Sequence, residues 1–139
     1  MLYCIYIKVP ANTPPDNPVV KEVVIEEPYL TRIDVYFPPG VACLTRVAFF
    51  YGEQQIFPAS EYEWLTGHAY MIGGEVDFSP GEKPWKLRIK AYNLDRKYDH
   101  TVYIYIHTSW LSRRVLLESQ MKLAKAMIEY ASVIAGVSV

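Results

Sequence analysis

Cysteine and histidine are scarce in this 139-residue sequence, with two of the first and three of the second. None of the five is spaced from another as zinc ligands usually are, so no metal site is predicted. Cys4 and Cys43 each fall in a strand-like run, which favours two small buried thiols and leaves a single disulfide open. No cofactor is predicted, because no phosphate-binding or dinucleotide-binding glycine motif occurs.

Long apolar segments and catalytic motifs are absent as well. No run reaches the roughly 18 apolar residues of a membrane-spanning helix, and the first ten residues, MLYCIYIKVP, lack the features of a signal peptide. The sequence has no nucleophile elbow or zinc-protease motif. Carboxylates occur in the middle of the chain, but nothing sets the separation that a glycosidase needs. We therefore expect a non-enzymatic protein without a membrane partner, located inside a cell or in a particle assembled there.

The net charge of −1 is unevenly distributed along the chain, since residues 1–80 carry −6 and residues 81–139 carry +5. This asymmetry favours acidic and basic strands paired within one sheet, and leaves open that it orients neighbouring copies. Basic and aromatic residues alternate in 83–98, as they do in proteins that hold single-stranded nucleic acid. Trp85, however, falls on the predicted core face, so a nucleic-acid partner is not favoured.

Alternating apolar and polar residues predict short strands along most of the first 108 residues. Strands are expected at 3–9, 19–26, 30–37, 43–51, 54–57, 63–65, 69–72, 75–78, 84–92 and 100–108. Such spacing is typical of an antiparallel β-sandwich, here predicted to be jelly-roll-like. We divide the chain into an N-terminal strand with a proline-rich arm (1–18), the sandwich (19–108), and a C-terminal helix and tail (109–139).

The apolar period changes to that of a helix from Trp110 to about Ala135, with Thr108 or Ser109 as the predicted cap. About 26 residues at 1.5 Å each give a rod of roughly 39 Å, longer than a two-layer sandwich is thick. Its apolar residues form two adjacent lines. The first seam is Leu117, Met121, Ala124, Ile128, Ala131 and Ala135; the second seam is Leu116, Leu123, Met127, Tyr130 and Ile134.

This broad stripe could pack against its own sheet or against another molecule, and its width favours the second. An interfacial membrane helix is disfavoured, because the polar side lacks an excess of Lys and Arg. We therefore predict a homo-oligomer, with a second particle protein as a further partner. The predicted interface residues are Leu117, Met121, Leu123, Met127, Ile128 and Ile134.

Two loop regions offer ligand sites of lower specificity. Tyr62, Trp64 and Tyr70 lie in a turn-rich stretch, and such aromatics could form a rim that binds carbohydrate. A later loop contains Asn93, Asp95 and Asp99, which could hold calcium but lack the glycine and final glutamate of an EF-hand. Turns built from Asx hydrogen bonds are the commoner use of such residues.

Two stretches, FPPGVACLTRVAFFYGEQQIFP and LRIKAYNLDRKYDHTVYIYI, resemble small β-sandwich proteins from phage and prophage-like gene neighbourhoods. The shared pattern is a Pro-Pro-Gly turn, an apolar strand, a glycine, a Gln-Ile-x-Pro strand and a late Tyr-Asp-His-Thr strand. The resemblance covers roughly residues 28–107. It implies a capsid-accessory or tail component of a virus-like particle, with a carbohydrate-binding module as the alternative.

Overall fold

The computed structural model describes residues 1–136 as eight strands followed by one helix. The elements are β1 (Leu2–Val9), β2 (Val19–Ile25), β3 (Tyr29–Phe37), β4 (Thr45–Tyr51), β5 (Gln54–Phe57), β6 (Tyr70–Phe78), β7 (Trp85–Asn93), β8 (His100–Ser109) and α1 (Arg113–Ile134).

The strands form two antiparallel four-stranded sheets, so the predicted β-sandwich with a C-terminal helix is confirmed. Sheet A has the order β1-β8-β3-β6, and sheet B has the order β2-β7-β4-β5. The first strand pairs with the eighth, the second with the seventh, the third with the sixth and the fourth with the fifth. The chain is thus a long double ribbon folded in half, and the β3–β8 and β4–β7 pairs complete the sheets.

The core lies between the sheets and is built from the inward residues of each alternating strand. On β3, Ile33, Val35 and Phe37 are fully buried, as their alternation predicts. Trp85 of β7 is only 2% exposed, which confirms its place on the core face. The central strand β4 is buried on both faces along most of its length.

The turn-rich region differs from the prediction of three short strands at 63–65, 69–72 and 75–78. One nine-residue strand, β6, replaces the last two. Gly73 and Gly74 do not end it, because neither has a positive φ and both pair with β3. The first predicted strand is reduced to a single bridge between Leu65 and Val47.

The prediction of buried cysteine thiols is wrong, since Cys4 and Cys43 are both exposed and both free. Cys4 belongs to the outward set of β1 residues. Cys43 precedes β4, in a turn where its φ is 61°. The turn after Pro38-Pro39-Gly40 therefore extends further than predicted, and β4 begins only at Thr45.

The proline-rich arm crosses from sheet A to sheet B along its own chain. The Asn12 backbone N–H donates to the Asp95 carbonyl at 2.7 Å, and the Ala11 N–H donates to Asp99 Oδ1 at 2.7 Å. Thr13 forms a bridge with Asn93. β1, which precedes the arm, pairs with β8 of the same molecule.

Helix α1 begins three residues later than the predicted Trp110. Ser112 is the N-cap, and its side chain accepts a hydrogen bond from the Val115 N–H. The predicted caps, Thr108 and Ser109, are instead the last two residues of β8, where ladder pairing holds them in extended backbone. Residues 137–139 of the predicted tail lie outside the described residues.

Candidate functional site

Helix α1 is joined to the sandwich only through its first turns. Arg113 forms an ion pair with Glu75 of β6. Leu116, Leu117 and Gln120 line a depression of about 310 Å³ together with side chains from β3, β6 and β8. Beyond Met121, every large apolar side chain of α1 is at least 63% exposed. The early turns thus orient the helix, and the later turns leave the sandwich.

The helix has no buried side chain between Arg113 and Ile134. The six predicted interface residues, Leu117, Met121, Leu123, Met127, Ile128 and Ile134, are between 48 and 71% exposed. Tyr130 and Val133 are exposed as well. Large apolar side chains are rarely left in water as one continuous patch unless something covers it.

Apart from Arg113, the charged residues of α1 lie on the side away from both seams. Arg114 and Glu118 form an ion pair at 3.2 Å, one turn apart. Lys125 and Glu129 share this side at the same spacing. The helix is therefore amphipathic, although within residues 1–136 nothing buries its apolar stripe beyond Leu117.

The aromatic rim predicted for carbohydrate is only partly assembled. Tyr62 and Trp64 line one depression of about 330 Å³, with Glu53, Gln54 and Gln55 as neighbours. Tyr62 is 93% exposed. Tyr70 does not belong to this depression; it begins β6 in the other sheet and its hydroxyl donates to the Thr66 carbonyl.

Trp64 is held in place by two rings that sequence reasoning had not connected with it. Its ring centroid lies 4.9 Å from that of Tyr92 and 5.9 Å from that of Phe50. Lys90 Nζ is 4.5 Å from the Phe50 centroid. This packing leaves only part of the indole facing the depression.

A row of large side chains crosses the outer face of sheet A and was missed at the sequence level. The strand register places Tyr6, Tyr103, Tyr36 and Met71 side by side on four neighbouring strands. The Tyr36 and Tyr103 centroids are 6.3 Å apart. Each residue alternates correctly within its strand, but only the sheet order brings the four together.

The acidic loop after β7 is built from turn hydrogen bonds. Asn93 Oδ1 accepts from the Asp95 N–H, and Asp95 Oδ1 accepts from the N–H groups of Lys97 and Tyr98. Asp95 also lies 2.8 Å from the His100 ring. The Lys97 N–H, followed by the His100 ring, lowers the pKa of Asp95 below its ordinary value. Residues 1–136 contain no cluster of three or more His, Cys, Asp and Glu arranged to hold a metal ion.

The basic face of β7 meets acidic neighbours, as the charge asymmetry predicted. Lys86 and Arg88 each lie 3.8 Å from the Glu22 carboxylate on β2. Glu53 lies 2.8 Å from Arg88 and 3.9 Å from Lys90. The hydrogen bond from Arg88, with the nearby Lys90 charge, lowers the pKa of Glu53. Much of the positive charge on this strand is thus balanced within sheet B.

Comparison with protein families, with curated proteins and with solved structures found no match. Within the described part of the chain, no helix is long and apolar enough to span a membrane.

Proposed function

We propose that this protein is a non-enzymatic structural protein that assembles with copies of itself through α1. The proposed setting is a virus-like particle, in which the chain serves as a capsid-accessory or tail component beside a second particle protein. In this setting the chain is found in the virion or in the cytoplasm where particles form.

The observation that carries this proposal is the uncovered stripe of α1. In proteins, most of the stability of a helix comes from packing of its apolar face against other structure. The sandwich supports the first turns of α1 and leaves the remaining turns exposed. A second copy of the same helix supplies a surface of the same length and the same chemistry.

The strand pairing supports the particle setting. Pairing of first with eighth, second with seventh, third with sixth and fourth with fifth is how an eight-stranded jelly roll is wound from a folded ribbon. Jelly rolls occur in viral capsid proteins and in lectins. A shared strand order does not by itself determine function, so the uncovered helix carries the functional proposal.

The test of self-association is the molar mass in solution. We expect light scattering at micromolar concentration to give several times the 16.0 kDa chain mass. Ile128→Glu is expected to return the mass of a single chain, because assembly would bury an unpaired carboxylate at a cost of several kcal/mol. Lys122→Glu places the same carboxylate on the polar side of α1 and should leave the assembly intact.

Ile128 is exposed in the single chain, so its replacement should leave the sandwich folded. Circular dichroism and thermal unfolding of the Ile128→Glu chain would verify this. A wild-type chain that scatters as a 16.0 kDa species at micromolar concentration would end the proposal.

The second candidate function is carbohydrate binding at the depression that contains Tyr62 and Trp64. The observation in its favour is that an exposed aromatic ring stands beside amide and carboxylate groups, which can hydrogen-bond sugar hydroxyls. The jelly-roll pairing suits this function as well.

A glycan array tests this candidate with two variants. Trp64→Ala and Tyr62→Ala should each weaken binding about fivefold or more, since stacked aromatic contacts contribute roughly 1 kcal/mol or more each. Tyr70→Ala is the matched control, because Tyr70 lies outside the depression. Absence of any bound glycan, or an equal loss in the Tyr70 variant, would remove carbohydrate binding at this depression.

A further inference from the structure

The two seams of α1 differ in side-chain size, and the difference recurs layer by layer. Four layers lie beyond the turns that touch the sandwich: 123/124, 127/128, 130/131 and 134/135. In three of them the second seam supplies a large residue where the first seam supplies alanine. These layers are Leu123 with Ala124, Tyr130 with Ala131, and Ile134 with Ala135.

We infer that α1 assembles as a parallel ring of four or five copies, in which the first seam of each helix packs against the second seam of the next. The inference rests on the proposed self-assembly and specifies the partner surface. Each interface is heterologous, because two different surfaces meet, and such interfaces close into a ring when the rotation allows it.

Shape complementarity favours this pairing over a symmetric one. If two first seams met across a two-fold axis, alanines would face alanines in three of the four layers, and the large second seam would stay in water. If the first seam meets the second seam, each large side chain enters the space beside an alanine, as knobs enter holes in coiled coils. Every exposed apolar side chain of both seams is then covered.

The angle between the seams sets the number of copies. Successive residues of a helix are about 100° apart around its axis. The members of each layer are successive residues, so the two seams point about 100° apart. In a closed ring, the directions to the two neighbours differ by about 60° for three helices, 90° for four and 108° for five. The angle of about 100° between the seams lies between the values for rings of four and of five helices.

The exposed apolar area of α1 is divided between two neighbours in the ring. The six residues Met121, Leu123, Met127, Ile128, Tyr130 and Ile134 are each at least 63% exposed. Burying a large apolar side chain removes roughly 60–120 Å² from water. With the flanking alanines and Leu117, one copy loses on the order of 500 Å², shared between its two neighbours. Each interface therefore buries about 500 Å² in total, less than the roughly 1,600 Å² of a standard pairwise interface, so stability depends on closing the whole ring.

Charge distribution is compatible with the ring. The polar side of α1 carries Arg114, Glu118, Lys122, Lys125 and Glu129, whose net charge is only +1. Parallel helices therefore gain little net repulsion along this side. Because all copies point the same way, the sandwiches gather at one end of the helical ring.

Paired cysteines test the seam-to-seam contact. In a Cys4→Ser/Cys43→Ser background, Ala124→Cys and Leu123→Cys chains are made separately, mixed under denaturing conditions, refolded and oxidised. In the ring, these two positions meet across each interface at the short Cα separation that a disulfide requires, about 4.4–6.8 Å. We expect most of the mixture to cross-link as dimers, and each variant alone to remain mostly uncross-linked.

A chain carrying both cysteines should form a ladder of cross-linked species that stops at four or five copies. Strong cross-linking of the Ala124→Cys chain alone would show a symmetric contact and overturn the ring. Cross-linking that stops at three copies, or a wild-type mass of two or three chains, would also overturn the ring. Either result would still support self-assembly. A monomeric wild type would instead remove the proposed function and the ring together.

Discussion

Gly73→Ala is expected to destabilise the sandwich by about 3 kcal/mol or more, a large share of the roughly 5–15 kcal/mol typical of a domain. Gly73 lies on β6 directly opposite Asp34 of β3. A Cβ added there would overlap the Ile33 carbonyl oxygen and the Asp34 carboxylate, and would lie 2.7 Å from Asp34 Cα. Because two of these three obstacles are backbone atoms, the strands themselves would have to move apart.

The neighbouring glycine provides a matched control for this prediction. A Cβ at Gly74 would approach the Phe57 ring at 3.5 Å, which is an ordinary contact. Neither glycine has a positive φ, so alanine meets no backbone strain at either position. Gly74→Ala should therefore change the free energy of unfolding by less than about 1 kcal/mol.

Chemical denaturation of both variants measures the difference. The comparison is best made in the Ile128→Glu background, because assembly would add a concentration-dependent contribution to stability. Equal stability of the two alanine variants would contradict the close approach of β6 to β3 at Gly73.

Glu27→Ala is the second substitution with a large expected effect, a loss of about 3 kcal/mol. Glu27 is fully buried where the chain passes from sheet B to sheet A. Its carboxylate accepts hydrogen bonds from the Tyr3 hydroxyl and from Thr108 Oγ1, each at 2.8 Å. Alanine would remove the shared acceptor of both hydroxyls and leave a cavity in a closely packed region.

The adjacent Glu26 serves as the control for this substitution. Its side chain is exposed, so Glu26→Ala should cost less than about 0.5 kcal/mol. Glu27→Gln should be milder than Glu27→Ala, because its amide oxygen keeps one acceptor in place. Equal unfolding midpoints for Glu26→Ala and Glu27→Ala would show that the buried carboxylate does not hold these strands together.

Glu27 also shows why sequence reasoning missed some residues that hold the fold. Nothing in its neighbourhood distinguishes it from Glu26, since the two acids are adjacent and both follow an apolar strand. Tyr3 and Thr108, which bind it, are separated from it by 24 and 81 residues. Such contacts depend on the sheet order, which local patterns do not encode.

The candidate surfaces differ in how well local sequence patterns could predict them. The apolar stripe of α1 was predicted residue by residue, because helical spacing places its members on one side whatever the rest of the chain does. The row of Tyr6, Tyr36 and Tyr103 with Met71 was not predicted, since it requires four strands distant in sequence to pair in a particular register. Of the three rim residues, Tyr62 and Trp64 are two residues apart and line one depression, whereas Tyr70 lies across a sheet boundary.

Local periodicity was enough to assign most strands, their inward residues and the amphipathic helix, because these properties depend on residues only two to four positions apart. The exposed cysteines, the late start of α1 and the continuous strand through Gly73 and Gly74 depended on turns and pairing partners far along the chain. Whether the helix would lie on its own sheet likewise depended on contacts with residues far along the chain. Its side chains suited either destination, and the anchoring of its first turns beside Glu75 directs the rest of the helix away from the sandwich.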